Sequence, residues 1–491
     1  MASMSTYMQS GVPGLDQVLR GGLPRNQMYV ISGKSGSGKT TLAMQFLLEG
    51  ARVGERSLYL GTSETEEEIR QIARSHGWSL EKVAVRHMHM DPAQKEVSQT
   101  MLHPAEVELP RTVEKMIKHI DEYQPQRVVI DSLSEIRLLA RELSWYQRQL
   151  MMLKHHLTSR QCTVILTDTS SGEDPVTTVV HGSIELDRLE PLYGPERRRL
   201  RIEKLRGHDF ISGFHDYRIK RGGLHVYPRL IAGKEQRVSF PSEKMSSGMD
   251  EFDALLGGGL DKGTCTLFQG TAGTGKSALA TQFAVAAARQ GEKSLIYCFD
   301  ERIQTFVQRA QGLGIDIQKY MSEGLVIVRQ VNPAELTAGE FSSMVAEAVN
   351  QKGISIVVID SLNGYAYALP NEKFLSVHLH EIASFLNLQG VVTLLTMAQL
   401  GGAGLITEAP FEISYVSDTV IKLRYFEYRG SVRKSISVQK RRGGEHERTI
   451  RELVMDENGV QVGPVLEEFE GIISGNPRYV GKNLKTNGSK D

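Results

Sequence analysis

The sequence predicts an α/β protein with two similar domains in tandem, each a mostly parallel sheet covered by helices. The first observation is the length, because 491 residues exceed the size at which a single hydrophobic core stops growing. The second is an internal repeat, in which residues 10–22 (SGVPGLDQVLRGG) resemble residues 247–259 (SGMDEFDALLGGG). The third is the alternation of short apolar runs with amphipathic stretches, which is typical of parallel strands connected by helices.

The repeat continues through both halves in the same order. Each half next has an apolar run, MYVISG or TCTLFQG, that leads into a glycine-rich loop at residues 33–40 or 270–277. An aspartate later closes the runs RVVID and IVVID, and a basic turn follows as KLRG in the first half and KRRG in the second. Four landmarks in one order and at nearly one spacing indicate a duplication.

The two halves meet in a polar stretch at residues 228–246 that has no strong periodicity. We place the boundary at residue 240, which gives predicted domains at residues 1–240 and 241–480. Residues 481–491 offer almost no apolar surface to bury, and they are predicted to form a disordered tail.

Amphipathic helices are predicted just before the runs that end in aspartate. Apolar residues recur there at helical spacing: Val113, Met116, Ile117 and Ile120 in the first half, and Phe341, Met344, Val345 and Ala348 in the second. This spacing places each group on one face of a helix.

The composition predicts a soluble, cytoplasmic protein without a membrane segment. Its 58 basic residues balance 58 acidic residues, which disfavours a dedicated nucleic-acid-binding surface. The three cysteines have spacings that fit neither a metal site nor a disulfide framework, as expected in a reducing compartment. The first residues show no signal peptide, and no apolar run approaches the ~20 residues that span a bilayer.

Both glycine-rich loops fit the pattern GxxxxGK[ST], which binds nucleotide phosphates where a strand leads into a helix. Lys39 and Lys276 are expected to reach the β- and γ-phosphates of ATP, and the hydroxyls of Thr40 and Ser277 to bind Mg²⁺. An accidental glycine-rich turn would not recur in matched context. The predicted ATP-binding residues of the loops are Ser35, Gly36, Ser37, Gly38, Lys39, Thr40, Thr41, Ala272, Gly273, Thr274, Gly275, Lys276, Ser277 and Ala278.

Asp131 and Asp360 each close a run of β-branched residues. A carboxylate at that place can hold the Mg²⁺ shell, as in a Walker B motif. The alternative is a helix N-cap after a strand. The similar distance of each aspartate from its loop lysine favours the Walker B role.

Acidic residues also follow the strand predicted between the loop and the Walker B run. Phosphoryl transfer needs a carboxylate that orients or deprotonates the attacking hydroxyl or water, and Glu64, Asp300 and Glu301 are the candidates. The alternative is that they are solvated acids at a helix start, stabilised by the helix dipole. That interpretation suits the neighbouring acids at residues 66–68.

The sequence resembles the KaiC-type circadian clock ATPases, which are double-domain members of the RecA superfamily. The resemblance extends from about residue 10 to about residue 480, and the paired loops and the two basic turns carry it. Further carriers are ARSHGW at residues 73–78, ISYVSDTVIKLRYFEYRG at 413–430 and EEFEGIISGNPRYV at 467–480.

The resemblance implies a homohexameric double ring of RecA-like domains, with ATP bound between neighbouring protomers and KaiB-like or other signalling proteins as partners. It implies a slow ATPase in the N-terminal ring, and an autokinase and autophosphatase in the C-terminal ring that acts on an adjacent Ser/Thr pair. That pair aligns with Ser414 and Tyr415. The residues that match nucleotide contacts outside the loops are Ser75, Lys204, Leu205, Arg206, Lys440 and Arg442.

The basic turns have a physical rationale in such a ring. A cation from the next protomer can stabilise the charge that develops on the transferred phosphoryl group, as an arginine finger does. The alternative is an ordinary basic surface turn, which recurrence in both halves disfavours.

The sequence departs from the family pattern at two places. The family has paired glutamates after the second strand, whereas this chain has Ser63 with Glu64 and Asp300 with Glu301. A serine cannot accept a proton at neutral pH, and an aspartate reaches less far. Tyr415 stands where threonine is usual, and its longer phenol makes Ser414 the preferred phosphoacceptor of the two. The alternative is that Ser414 is an ordinary serine at a strand edge.

Three functions are compatible with these patterns. The first is a ring ATPase with serine autokinase activity that acts as a timing or signalling switch. The second is a nucleic-acid-dependent RecA-like ATPase, which the balanced charge and the complete duplication disfavour. The third is a scaffold that ATP assembles with little turnover, a role that Ser63 favours for the N-terminal ring.

Overall fold

The computed structural model describes residues 6–88, 104–140, 142–169, 175–190, 194–231, 243–366, 372–399, 413 and 415–481. The chain divides into two compact units, Met1–Arg229 and Leu230–Asp491. The boundary predicted at residue 240 lies outside the described residues, as does the predicted tail from residue 482 onward. Within the described part of the chain, no helix has the length and apolar character needed to cross a membrane.

The N-terminal unit alternates strands and helices as predicted. Its strands are β1 (Tyr7–Met8), β2 (Leu23–Pro24), β3 (Met28–Gly33), β4 (Ser57–Gly61), β5 (Val83–His87), β6 (Arg127–Asp131), β7 (Thr163–Asp168), β8 (Gly182–Leu189), β9 (Arg197–Leu205), β10 (His215–Lys220) and β11 (Gly223–Tyr227). Its helices are α1 (Leu15–Val18), α2 (Lys39–Arg52), α3 (Glu66–Ser75), α4 (Pro104–Tyr123), α5 (Leu133–Leu138), α6 (Leu143–Ser159) and α7 (Pro175–Val179).

The C-terminal unit repeats this order of elements. Its strands are β12 (Lys244–Met245), β13 (Leu260–Asp261), β14 (Cys265–Gly270), β15 (Lys293–Cys298), β16 (Val326–Gln330), β17 (Ile354–Asp360), β18 (Val392–Ala398), β19 (Thr419–Tyr428), β20 (Ser431–Arg441), β21 (Arg451–Asp456), β22 (Gly459–Val465), β23 (Phe469–Glu470) and β24 (Arg478–Tyr479). Its helices are α8 (Asp250–Leu255), α9 (Lys276–Arg289), α10 (Ile303–Gly312), α11 (Ile317–Ser322), α12 (Ala338–Lys352), α13 (Leu362–Ala366) and α14 (Glu372–Leu388).

Both units contain a nine-stranded sheet with the same topology. The strand order is β5-β4-β6-β7-β3-β8-β9-β10-β11 in the first unit and β16-β15-β17-β18-β14-β19-β20-β21-β22 in the second. The first six strands in each order are parallel, and the last three are added in antiparallel pairing at one edge. The predicted α/β class with two tandem, mostly parallel sheets is therefore confirmed.

Separate groups of helices cover the two faces of each sheet. Along β3, Tyr29 and Ile31 join the core that contains α2, whereas Met28 and Val30 join the core that contains α4 and α6. Successive strand residues point to opposite faces, so a strand buried on both sides is apolar throughout. The C-terminal unit has the same two cores.

The two predicted amphipathic helices are present as α4 and α12. Their predicted apolar faces contact the sheets through Val113, Met116, Ile117, Ile120, Phe341, Met344, Val345 and Ala348. The helical spacing read from the sequence therefore identified both core-facing surfaces.

A buried arginine distinguishes the first unit from the second. Arg127 begins β6 and is 1% exposed. It donates hydrogen bonds from Nε to Glu55 Oε2 (2.7 Å) and from Nη1 to the Phe46 carbonyl oxygen (2.8 Å). A Cβ atom at Gly50 of α2 would stand 2.5 Å from Arg127 Cδ, so glycine leaves the space that the arginine occupies.

We expect Glu55→Gln to lower the free energy of unfolding of the N-terminal unit by about 3 kcal/mol, because it leaves a buried guanidinium without its counter-ion. Hydrogen–deuterium exchange of the β6 amides under mild denaturant measures this change. The exposed Glu66–Arg70 pair on α3 provides the control, since Glu66→Gln should cost less than ~1 kcal/mol. Equal protection of β6 in both variants would contradict a structural role for the buried pair.

Candidate nucleotide sites

Each phosphate loop connects a central strand to the helix behind it. In the first unit β3 ends at Gly33 and α2 begins at Lys39, and in the second β14 ends at Gly270 and α9 begins at Lys276. The residue before each lysine is a glycine with positive φ, 98° at Gly38 and 107° at Gly275, a conformation that glycine adopts without steric cost. Both helix N-termini therefore point their free backbone N–H groups into the loop.

The loop lysines fold back over their own loops. Lys39 Nζ donates to the carbonyl oxygens of Gly33 (2.7 Å) and Lys34 (3.1 Å), and Lys276 Nζ donates to those of Gly270 (2.9 Å) and Thr271 (2.7 Å). Burial lowers the pKa of Lys276 to about 8 and also lowers the pKa of Lys39. A phosphate in the loop would supply the negative charge that these buried cations lack.

The loop hydroxyls contact the predicted Walker B aspartates. Thr40 Oγ1 donates to Asp131 Oδ2 at 2.7 Å, and Ser277 Oγ donates to Asp360 Oδ1 at 2.9 Å. Both aspartates are buried at the ends of their strands. A hydroxyl beside a carboxylate fits the oxygen ligands that Mg²⁺ prefers when phosphates complete its coordination, so these residues fit the predicted ion. The N-cap of α5 is Ser132 rather than Asp131.

The other predicted loop residues divide into exposed and buried positions. Those open to solvent are Ser35, Gly36, Ala272 and Gly273, and those buried are Ser37, Thr41, Thr274 and Ala278. Thr41 and Ala278 lie in the first turn of their helices. They therefore face the core with their side chains and can offer a nucleotide only backbone groups.

The structure adds one residue beside each loop that sequence reasoning missed. A Cβ atom at Gly36 would stand 2.9 Å from Arg188 Nη1, and one at Gly273 would stand 2.6 Å from the Tyr425 hydroxyl. Both side chains come from the strand that pairs with the loop strand, at equivalent positions of β8 and β19. The pairing, rather than any motif, is the signal that would have found them.

The candidate catalytic acids lie in different surroundings. Glu64 is half-buried beyond β4, and burial, with a further contribution from the Asp131 carboxylate, raises the pKa of its carboxyl group. Glu301 forms an ion pair with Arg309 of α10, with 2.5 Å between Oε1 and Nη2. Asp300 is exposed and accepts a hydrogen bond from the Ser361 hydroxyl.

The acids expected to be solvated at a helix start are found in that position. Residues 66–68 are exposed in the first turn of α3. Ser75, a predicted nucleotide contact, ends the same helix, where its hydroxyl donates to the Ile72 carbonyl oxygen at 2.7 Å.

The basic turns and the phosphate loops lie at opposite ends of the parallel strands. Lys204 pairs with Ser183, which pairs with Val30 near the start of β3. The loop follows Gly33, three residues farther along β3, or about 10 Å at ~3.3 Å per residue. In the second unit Lys440 pairs with Val420, which pairs with Leu267 of β14, three residues before Gly270.

Both turns are held by carbonyl oxygens of their own unit. Lys204 Nζ donates to the Val180 carbonyl oxygen (2.9 Å) and Arg206 Nη2 to that of Thr178 (3.2 Å). Lys440 Nζ donates to the Ser417 carbonyl oxygen (2.8 Å). Leu205, between the first two cations, is buried.

Tyr415, the described member of the predicted phosphoacceptor pair, adjoins the second basic turn. Arg442 Nη2 donates to the Tyr415 carbonyl oxygen at 2.8 Å, and the Tyr415 side chain is 48% exposed. Ser414 lies outside the described residues. The sheet register aligns Tyr415 with Thr178 of the first unit, and Arg206 Nη2 donates to the Thr178 carbonyl oxygen in the same way.

We expect the chain to bind two equivalents of ATP, and Lys39→Ala and Lys276→Ala each to remove one. Each substitution deletes the cation at the centre of one loop. Equilibrium dialysis with radiolabelled ATP and Mg²⁺ measures the stoichiometry. The exposed Lys82 provides a matched control, since Lys82→Ala should leave two equivalents. A single equivalent in the unsubstituted chain would refute the second site.

Comparison with known proteins agrees with this geometry. A family model described as the ATPase KaiC matches residues 8–231 and 245–467. The circadian clock oscillator protein KaiC of Thermostichus vulcanus is 29% identical over 490 residues, which cover 97% of this chain and 92% of the relative. KaiC 1 of Synechocystis sp. is 28% identical with the same coverage, and KaiC of Synechococcus elongatus is 28% identical over 96% of this chain and 92% of its own. Because the two matched stretches span most of the sequence, the chain belongs to the KaiC family of ATPases.

Proposed function

We propose that this ATPase assembles into a double ring in which each protomer completes the nucleotide sites of its neighbour, and that its C-terminal unit phosphorylates Ser414. We further propose that the phosphorylated and unphosphorylated forms act as a timing or signalling switch. The observation that carries the proposal is the placement of the loops and the basic turns at opposite edges of each sheet.

The separation of loop and basic turn favours assembly, because neither end of the sheet has all the groups of a nucleotide site. The loop edge of a unit has the buried lysine, the hydroxyl and the carboxylate that hold a triphosphate with Mg²⁺. The other edge presents a pair of cations, Lys204 with Arg206 or Lys440 with Arg442, about 10 Å from the loop level. Head-to-tail packing in a closed ring would bring the cations of one protomer to the phosphates of the next.

Tyr415 and Ser417, which follow the proposed phosphoacceptor in sequence, lie at the same end of the sheet as the cations. Arg442 and Lys440 contact carbonyl oxygens of Tyr415 and Ser417, one and three residues beyond Ser414. The described residues that follow residue 414 therefore lie at the end of the sheet away from the loop of their own unit. We infer that the ATP that phosphorylates Ser414 is bound by the neighbouring protomer.

The transfer is an in-line displacement. The Ser414 Oγ atom attacks the γ-phosphorus while the bond to the β–γ bridging oxygen breaks, and ADP leaves. The serine proton passes to the carboxylate of Asp300 or Glu301. Lys276 and the cations of the turn stabilise the charge on the transferred group, and Mg²⁺ held at Ser277 and Asp360 would neutralise the phosphate oxygens.

The N-terminal unit is proposed to hydrolyse ATP, with water as the nucleophile. The sheet register aligns the acceptor pair of the second unit with Thr177 and Thr178 of the first, rather than with Val180 and His181. Arg206 contacts the Thr178 carbonyl oxygen as Arg442 contacts that of Tyr415.

The basic run at residues 197–201 does not favour the nucleic-acid alternative. Its side chains form ion pairs with acidic residues of the same hairpin: Arg198 with Glu196, Arg199 with Asp187 and Arg201 with Glu185 and Glu203. Phosphate backbones bind where cations are available to replace counter-ions. We therefore propose cytoplasmic signalling proteins of the KaiB type, rather than nucleic acid, as partners.

We expect phosphate on Ser414 after incubation of the intact protein with ATP and Mg²⁺, and none there in Lys276→Ala. Lys39→Ala keeps the C-terminal site and provides the matched control. Mass spectrometry over a time course locates and quantifies the phosphate. Phosphate found only at other residues would refute the acceptor assignment.

A mixing experiment tests transfer between protomers. Lys276→Ala protomers retain Ser414 but lack the C-terminal ATP site, and Ser414→Ala protomers retain the site but lack the acceptor. We expect neither variant alone to carry phosphate at residue 414, and co-expressed mixed rings, isolated through two different tags, to carry it on the Lys276→Ala chains. Mixed rings without phosphate would show that transfer occurs within one protomer.

A further inference from the structure

At two pairs of equivalent positions, the two units differ in which residue has a carboxylate. Residue 61 pairs with Asp131 in the first sheet, and residue 298 pairs with Asp360 in the second. Ser63 and Asp300 therefore occupy the same place, two residues beyond their strands. Glu135 and Gly364 each lie four residues beyond the Walker B aspartate of their unit. The first turn of α5 therefore has Glu135 where the first turn of α13 has Gly364.

The equivalence extends to the backbone bonds around these residues. The N–H of Thr62 donates to the Asp131 carbonyl oxygen (2.8 Å), and the N–H of Phe299 donates to the Asp360 carbonyl oxygen (2.7 Å). In both units the peptide bond after the aspartate is cis. The segments that present residues 63 and 300 therefore enter the two sites along the same path.

Gly364 leaves room for the acid of the second unit. A Cβ atom at Gly364 would stand 3.2 Å from Asp300 Cγ and would contact the carboxylate oxygen Oδ1 directly. The Asp300 carboxylate thus occupies the space above the first turn of α13, where it also accepts the hydrogen bond from Ser361. A side chain at residue 364 would therefore clash with the acid at residue 300, and also with the Cβ atom of Phe299 at 2.6 Å.

The first unit has the opposite arrangement. The short Ser63 is exposed, and Glu135 is half-buried in the first turn of α5. The Glu135 carboxylate is close enough to Glu64 to contribute to the raised pKa of that group, after burial, Asp131 and Glu68. Because residues 135 and 364 are equivalent, the Glu135 side chain starts at the place that the Asp300 carboxylate occupies in the second unit.

We propose that Glu135 supplies the second carboxylate of the N-terminal ATPase site, from a helix rather than from the segment after β4. The site keeps a pair of acids, Glu64 with Glu135, and the loss of an acid at Ser63 does not disable it. The proposal rests on hydrolysis at the N-terminal site.

The chemistry needs one acceptor for one proton. A water oxygen attacks the γ-phosphorus, the bond to the β–γ bridging oxygen breaks, and ADP and inorganic phosphate form. The proton of the water passes to the carboxylate pair, which then releases it to solvent. Two carboxylates can orient the water through both of its hydrogen atoms, whereas Glu64 alone holds one.

The test measures steady-state ATP hydrolysis by Lys276→Ala protein, in which only the N-terminal site turns over. In this background Glu135→Gln should lower kcat by about tenfold or more, the lower range for a group that handles a proton, and leave KM within about twofold because no phosphate contact is lost. The double variant Ser63→Asp/Glu135→Gly moves the acid to the position that it has in the second unit, and it should recover much of the lost kcat. The exposed Glu67 of α3 gives the control, since Glu67→Gln should not change kcat.

The kcat and KM of these variants distinguish a catalytic role of Glu135 from a structural one. Unchanged kcat in Glu135→Gln overturns the assignment of Glu135 but leaves N-terminal hydrolysis intact. A loss that the double variant does not recover, or that a matching rise of KM accompanies, shows a structural role for Glu135 and also overturns the proposal. A Lys276→Ala protein without turnover refutes hydrolysis at the N-terminal site, and the proposal with it.

Discussion

The hydrogen bond between the loop hydroxyl and the Walker B aspartate is the constraint on which both units depend. It joins the start of α2 to the end of β6, and the start of α9 to the end of β17. These strands are not adjacent to the loop strands, because β7 or β18 lies between them. A threonine of that intervening strand, Thr167 or Thr396, donates its hydroxyl to the same aspartate. Two strands and one helix thus meet at each carboxylate, at the end of the sheet where the parallel strands finish.

The direction of the parallel strands places the phosphate loops at one end of the sheet and the basic turns at the other. Loops that bind phosphate follow the carboxyl ends of the strands, as in other open α/β sheets. The antiparallel strands added beside β8 and β19 run back to the amino-terminal edge and deliver the basic turns there. Within each unit the basic turn and the phosphate loop therefore lie at opposite ends of the strands. Association between protomers is the simple way to use both.

The sequence predicted the features that follow from local patterns. The glycine loops, the aspartates that end apolar runs, and the amphipathic faces of α4 and α12 depend on spacing within about ten residues. The fold class follows from their alternation. Arg188 and Tyr425 were missed because they reach the loops through strand pairing across about 150 residues of chain, which no short motif records. Leu205, predicted as a nucleotide contact with its basic neighbours, has a buried side chain, because a strand points alternate side chains to opposite faces.

Comparison of the two units shows how a duplicated fold diverges by paired changes. A packed interior has little free volume, so a larger side chain at one position needs a smaller one where it lands. Arg127 crosses Gly50 in the first unit, and the second unit has Ile356 and Ala287 at the equivalent places. An apolar pair fills there the space that an ion pair and a glycine fill in the first. The acids near the γ-phosphate position follow the same rule, because Asp300 requires Gly364 whereas the short Ser63 accommodates Glu135. Both examples keep the occupied volume while the residues that supply it change, and charge is lost at the first pair because Ile356 and Ala287 are apolar.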